Sequence, residues 1–260
     1  MKKFKKIVGL TLVEVLIAVV VSSIMMAAMY TSYAMVNNSY TMVIDRASIS
    51  RSSRDLVGML VRDIRMAGFK YFDDNLKTEN NNVPIQITKS SGTPRCCDKI
   101  VIIYGDTDYD TGEKKPTYMR YRITYKAKPS EKIIPGTTIK ENTFAVVKSK
   151  EFWDGTQFTH SGDDRTYFEE EIIDYVEDMV FTPIDEKGDK IDPTDKNRLY
   201  DIKLVNINIV YRSPNKFFSK NKSTENTFIT SSRDSSFTAN DRFLRDVIFV
   251  SAYARNIIKQ

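Results

Sequence analysis

Residues whose types could do chemistry are few in this 260-residue chain. Asp106, Asp108 and Asp110 alternate within D-T-D-Y-D-T-G-E, residues 106 to 113, a spacing that turns carboxylate oxygens toward one cation such as Ca²⁺. Against an EF-hand loop, Gly112 stands one place late and Thr117 occupies the twelfth position where a glutamate belongs. An acidic turn between strands is the expectation, with calcium binding as the alternative. Cys96 and Cys97 are adjacent and have no further cysteine to build a framework with. They can close a vicinal disulfide, pair with another molecule or remain thiols. His160, the single histidine, has no metal-ligand spacing to them, so no metal is expected. His160 with Asp163 and Asp164 contains acid/base groups but no nucleophile motif beside them, and reads as a solvated loop. No glycine-rich phosphate loop or serine elbow occurs, so neither an enzyme nor a cofactor is expected. The 14 Tyr and 14 Phe, with Trp153, are assigned to packing of a β core rather than to a sugar or DNA platform.

Glu14 is the remaining candidate, and its surroundings define it. It stands in G-L-T-L-V-E at the entrance of an apolar run, and no charge follows from Val15 to Met29. Leu10 to Val36 is 27 residues, which as a helix spans roughly 40 Å, more than the roughly 30 Å hydrocarbon core of a bilayer. A membrane helix follows, and a lone carboxylate inside it costs about 2.5 to 3.5 kcal/mol at the helix centre, less toward the interface. Such a group needs a partner. Lys2, Lys3, Lys5 and Lys6 account for all but one of the +5 net charges, so the basic balance does not indicate nucleic acid. Lysines on that flank place the N-terminus in the cytoplasm and the remainder outside. The apolar stretch is too long, and runs on too smoothly, for an ordinary secretory signal.

Beyond the apolar run the chain turns polar without a break. No proline falls between residues 37 and 67, and Gly58 is the one glycine. Leu56, Leu60, Ile64 and Ala67 recur at helical spacing, widened by Val57 and Val61, with Arg54, Asp55, Arg62, Asp63 and Arg65 on the other faces. Gly68 stands where a left-handed C-terminal cap is expected. Leu10 to Ala67 is thus predicted as one helix of 58 residues. From Phe69 onward short β-branched and aromatic runs alternate with Pro, Gly, Asn and Asp. Residues 99 to 104, 118 to 125, 202 to 211 and 243 to 255 are predicted strands, the third with a bulge at Val205 to Asn206. Residues 171 to 182 read equally as helix or strand. Residues 73 to 82 and 213 to 241 read as long polar loops.

These residues resemble the class III signal of type IV prepilins and pseudopilins: a short basic leader ending in Gly9, an apolar residue, then Thr11, Leu12 and Glu14 ahead of an apolar helix. Leu10 replaces the Phe usual in that family. R-S-S-R-D-L-V-G-M-L-V-R-D-I-R-M-A-G-F, residues 51 to 69, is similar to PilW-type minor pilins, and L-R-D-V-I-F-V-S-A-Y-A-R-N, residues 244 to 256, to the close of PilW and of J-type pseudopilins. The PilW-like cysteine soon after A-G-[FY] is absent here.

The resemblance implies an α+β type IV pilin-like lollipop: a leader over 1 to 9, a transmembrane half-helix over 10 to 36, an amphipathic half over 37 to 68, and a mainly antiparallel β domain over 69 to 260. It implies recognition of Lys5, Lys6 and Gly9 by a prepilin peptidase, cleavage between Gly9 and Leu10, and methylation of the Leu10 amine. Glu14, with Thr11 and Leu12, would then serve subunit assembly, its carboxylate meeting the Leu10 amine of a neighbouring subunit. The implied protein is a minor pilin that primes a type IV pilus and sits at its tip. Its partners would be major and minor pilins and the inner-membrane assembly platform, with the β domain periplasmic. The alternatives are a J-like pseudopilin of type II secretion, a competence pilus subunit, and a membrane-tethered periplasmic binding domain.

Overall fold

The computed structural model describes residues 11–69, 83–90, 96–108, 117–133, 143–162, 164–218, 220–226 and 237–257. The chain divides into two units, Met1–Ala47 and Ser48–Gln260. One helix, α1 (Leu12–Met66), supplies the described part of the first unit and opens the second.

From Val15 to Val36 the helix is apolar on every side, with Leu16, Val20, Ile24 and Met35 all exposed. Five of its serine and threonine hydroxyls are bonded within the helix. Ser22 Oγ donates to Val19 O at 3.0 Å, Ser23 Oγ to Val20 O at 2.8 Å and Thr31 Oγ1 to Ala28 O at 2.9 Å. The backbone and these hydroxyls are therefore satisfied internally, the condition a helix must meet in hydrocarbon. By length and composition α1 can cross a membrane.

In the second unit the helix becomes one-sided. Leu56, Leu60, Ile64 and Ala67 are fully buried, each such side chain contributing about 1.5 to 3 kcal/mol for the larger residues. Gly68 ends the helix at φ +74°, as its sequence position predicts. Its N–H donates to Ile103 O at 2.9 Å, and Asn256 Nδ2 donates to Arg65 O at 2.7 Å, so orphan groups at the helix end are met by the sheet and the C-terminal segment.

The helix packs on an antiparallel sheet in the order β1 (Ile85–Thr88), β2 (Lys99–Asp108), β3 (Thr117–Pro129), β4 (Phe144–Trp153), β6 (Tyr167–Ile184), β7 (Leu204–Lys216) and β10 (Phe243–Tyr253), with β5 (Phe158–Thr159) paired beside β4. Alternate residues Ile100, Ile102, Tyr121, Ile123 and Tyr125 from β2 and β3 join the helix stripe in one core with Met179, Phe181, Ile207 and Ile209. The four predicted strands are present, and 171 to 182 resolves as strand β6. Its irregularity explains the ambiguous text: Glu169 and Tyr175 take positive φ, 51° and 60°, and pairing with β4 shifts register three times.

Two expectations are overturned. No bulge falls at Val205 to Asn206, where β7 keeps unbroken register with β10 from Arg212↔Arg245 to Leu204↔Tyr253. The apparent phase change arises because β7 lies between two strands and is buried on both faces, Val205, Ile207, Ile209 and Tyr211 on one and Asn208, Val210 and Arg212 on the other. Ile202, the first residue of the predicted strand, precedes β7 and caps the short 3₁₀ helix Lys196–Asp201. The predicted loop over 213 to 241 also contains structure: β7 runs to Lys216, and β8 (Lys222–Asn226) pairs with β9 (Phe237–Asp241). The predicted loop over 73 to 82 lies outside the described residues, apart from any test.

Candidate functional site

At the head of α1, Thr11 and Glu14 form a reciprocal cap. Thr11 N–H and Oγ1 donate to Glu14 Oε2 at 2.8 and 2.9 Å, and Glu14 N–H donates back to Thr11 Oγ1 at 3.3 Å. This is the T-x-x-E capping box, with Thr11 as N-cap and the glutamate at the third helical position. It satisfies donors that a helix start leaves unpaired, and it holds the carboxylate on the side of the helix facing the N-terminus. Leu12 is exposed beside it. Lys5, Lys6, Gly9 and Leu10, the leader and cleavage residues, lie outside the described residues.

A second site, inside the sheet unit, was not singled out in the sequence. Asp63 of α1 is 4% exposed; its Oδ2 accepts from Tyr125 Oη at 2.6 Å and lies 2.8 Å from Lys148 Nζ of β4. Lys148 also bonds the Tyr167 side chain and sits 5.2 Å from the centre of the Tyr125 ring. Burial, then the neighbouring Asp63 charge, pushes the Tyr125 phenol well above its ordinary range. The sequence pattern puts Asp63 on a polar face of the helix, whereas the structure buries it. The spacing did hold the signal: Asp63 stands three residues after Leu60 and four before Ala67, inside the buried stripe.

A third polar cluster ties β6, β9 and β10 together. Arg245 donates to both oxygens of Glu177, at 2.6 and 2.8 Å, and to both of Asp241, at 2.6 Å each. Hydrogen bonds from Arg245 hold the Asp241 carboxyl below its usual range. The second and third clusters join structural elements, whereas the first closes the start of a single helix.

Asp106 and Asp108 belong to strand β2, which runs through Asp108, while Asp110 lies outside the described residues. Cys96 and Cys97 are joined in a disulfide across a cis peptide bond. His160 stacks on Phe168 with ring centres 5.0 Å apart, Asp164 is exposed in a turn, and Asp163 lies outside the described residues. The aromatic residues divide: Tyr121, Tyr125, Tyr211 and Phe181 fill the core, but Trp153 does not. It lies half-buried with its ring 5.1 Å from Phe158 and lines a groove of about 480 Å³ with Phe158, Phe168, Arg122 and Lys126.

No family model and no curated protein matches the chain. Among solved structures it is similar to a type IV-like pilin from Thermus thermophilus, at 8% identity and a TM-score of 0.47, over 81% of this chain and 97% of that one.

Proposed function

We propose that this chain is a minor pilin, PilW-like, which primes assembly of a type IV pilus and is incorporated at its tip. Its role is structural rather than catalytic. The observation that carries the reading is the head of α1. A carboxylate, Glu14, sits five positions after Gly9 at the start of a helix whose first unit exposes apolar side chains all round, and the helix then runs without interruption to Met66.

In this reading the chain is held in the inner membrane with its lysines in the cytoplasm and its sheet unit in the periplasm until a prepilin peptidase cuts after Gly9. The new Leu10 amine is methylated. Glu14, which the capping box presents toward that end, exchanges its Thr11 bonds for the amine of an adjacent pilin during assembly on the platform. Neighbouring apolar faces supply packing, and the acid and amine set register, since either charge alone in hydrocarbon is costly.

Mass spectrometry of the N-terminus of the protein purified from its own membranes tests the reading. A methylated Leu10 is expected. A chain that begins at Met1 with its lysines attached rejects it in favour of a membrane-tethered binding domain. A J-like pseudopilin shares the same processing and is separated by where the mature protein is recovered, in sheared pili or in a secretion complex.

A further inference from the structure

The Cys96–Cys97 disulfide faces a buried acid: the sulfurs and a carboxylate oxygen of Asp178 lie within 4.8 Å of one another. Asp178 is 4% exposed and fixed on β6, its Oδ1 accepting from Met179 N–H at 2.8 Å. The cysteine segment is fastened to the same strand by bonds that do not involve sulfur. Asp98 N–H donates to Met179 O at 2.7 Å. The Asp98 carboxylate accepts from Phe181 N–H and Lys89 Nζ, each at 3.0 Å, and from Ser90 N–H at 3.1 Å. Ser90 Oγ donates to Cys96 O at 2.6 Å. Opening the disulfide leaves all of these in place.

We propose that the reduced pair, with Asp178, forms a redox-gated site for one soft divalent cation of the Zn²⁺ class, closed while the disulfide stands. Two thiolates and a carboxylate are a donor set that such cations prefer, with water completing four-coordination. Ligand atoms around a tetrahedral zinc stand about 3 to 4 Å apart, given bonds of about 2.0 to 2.3 Å; with the disulfide open the sulfurs part to that spacing, and the Asp178 oxygen is already within 4.8 Å of both. In the disulfide neither sulfur carries the thiolate charge that ligation needs.

The gating step is thiol–disulfide exchange with a dithiol. One thiolate attacks a cysteine sulfur and the Cys96–Cys97 bond breaks; the second thiolate then releases the mixed disulfide. The dithiol leaves as its cyclic disulfide, having given two electrons and two protons, and Cys96 and Cys97 become thiols. The cation displaces both thiol protons to solvent on binding.

The test uses the full-length chain in detergent, reduced with a water-soluble phosphine, desalted, and titrated with Cd²⁺ while the thiolate-to-Cd²⁺ charge-transfer absorption is followed. Reduced protein is expected to bind one Cd²⁺ per chain, displaceable by Zn²⁺, and the oxidised protein none. Cys96→Ser and Cys97→Ser lose most of the absorption. Asp178→Asn keeps it but binds at least fivefold more weakly, with circular dichroism confirming the fold. Absence of the band in reduced wild type, equal binding by the oxidised form, or a smaller change in Asp178→Asn overturns the proposal. The first two comparisons need no variant.

Discussion

Lys148 Nζ of β4 lies 2.8 Å from Asp63 Oδ2 of α1, with each side chain only 5% exposed. The pair spans the core between helix and sheet, and Tyr125 Oη adds a bond of 2.6 Å to the same carboxylate. Two buried charges in contact gain little over an apolar pair of equal volume, but either one without the other is left charged in a medium that cannot solvate it. Lys148→Met is therefore expected to cost about 3 to 5 kcal/mol. Asp63→Leu combined with Lys148→Met should recover most of that loss. Chemical denaturation of the full-length chain in detergent measures both, and additive losses in the double variant would refute the pairing argument.

The Tyr125 phenol gives the same site a signature in alkaline solution. Its folded pKa is raised, first by burial and then by the Asp63 charge, whereas an unfolded tyrosine titrates near about 10. Between those values the folded state binds more protons than the unfolded one, so stability is fully present below about pH 10 and declines as pH rises beyond it. Tyr104 and Tyr211 are raised in the same direction by burial. Tyr125→Phe removes one of the contributing groups, and its stability should fall less steeply with pH above about 10 than that of the wild type. An unchanged slope in denaturation midpoints across that range would count against it.

Two glycines of the helix segment separate backbone strain from helix propensity. Gly68 has φ +74°, and a Cβ placed there would lie 3.0 Å from Asn256 O. Gly58 is helical and a Cβ there meets nothing within 4 Å. Gly68→Ala is expected to destabilise by about 1 to 3 kcal/mol, and Gly58→Ala to stabilise by about 0.5 to 1 kcal/mol. Opposite signs in thermal or chemical denaturation check the pair together.

Where one period governs a segment, the element is legible in the sequence. The apolar run and the Leu56, Leu60, Ile64, Ala67 stripe give α1 to within two residues at its start and one at its end, and Gly68 gives its cap because only the left-handed conformation turns the chain there. Alternation gave β3 for the same reason. Within 171 to 182, strand β6 is obscured by Tyr175, whose positive φ displaces the side-chain phase. Strand β7 misled because burial on both faces erases alternation. The cluster joins Asp63 to Tyr125 and Lys148, 62 or more residues away; local spacing marks Asp63 as buried but cannot name its partners. The disulfide was one of three open options for Cys96 and Cys97, since adjacency alone does not set their oxidation state.

The Thr11–Glu14 box lets the charge of Glu14 be separated from its capping bonds. Thr11 N–H and Oγ1 both donate to Glu14 Oε2, at 2.8 and 2.9 Å, and a glutamine accepts the same bonds at this position of a capping box. Glu14→Gln therefore keeps the local helix start and removes the charge, whereas Glu14→Val removes both. If the carboxylate pairs with a neighbour's amino terminus, both variants should be cleaved and reach the membrane at normal levels yet be depleted at least tenfold from purified filaments, because in each the amine loses its counter-charge in a medium where replacing it with a neutral acceptor sacrifices most of the attraction. If capping were the whole role of the side chain, only Glu14→Val would suffer. Quantitative mass spectrometry of membrane and filament fractions distinguishes the cases, and wild-type incorporation of Glu14→Gln would remove the charge-pairing step from the proposed assembly.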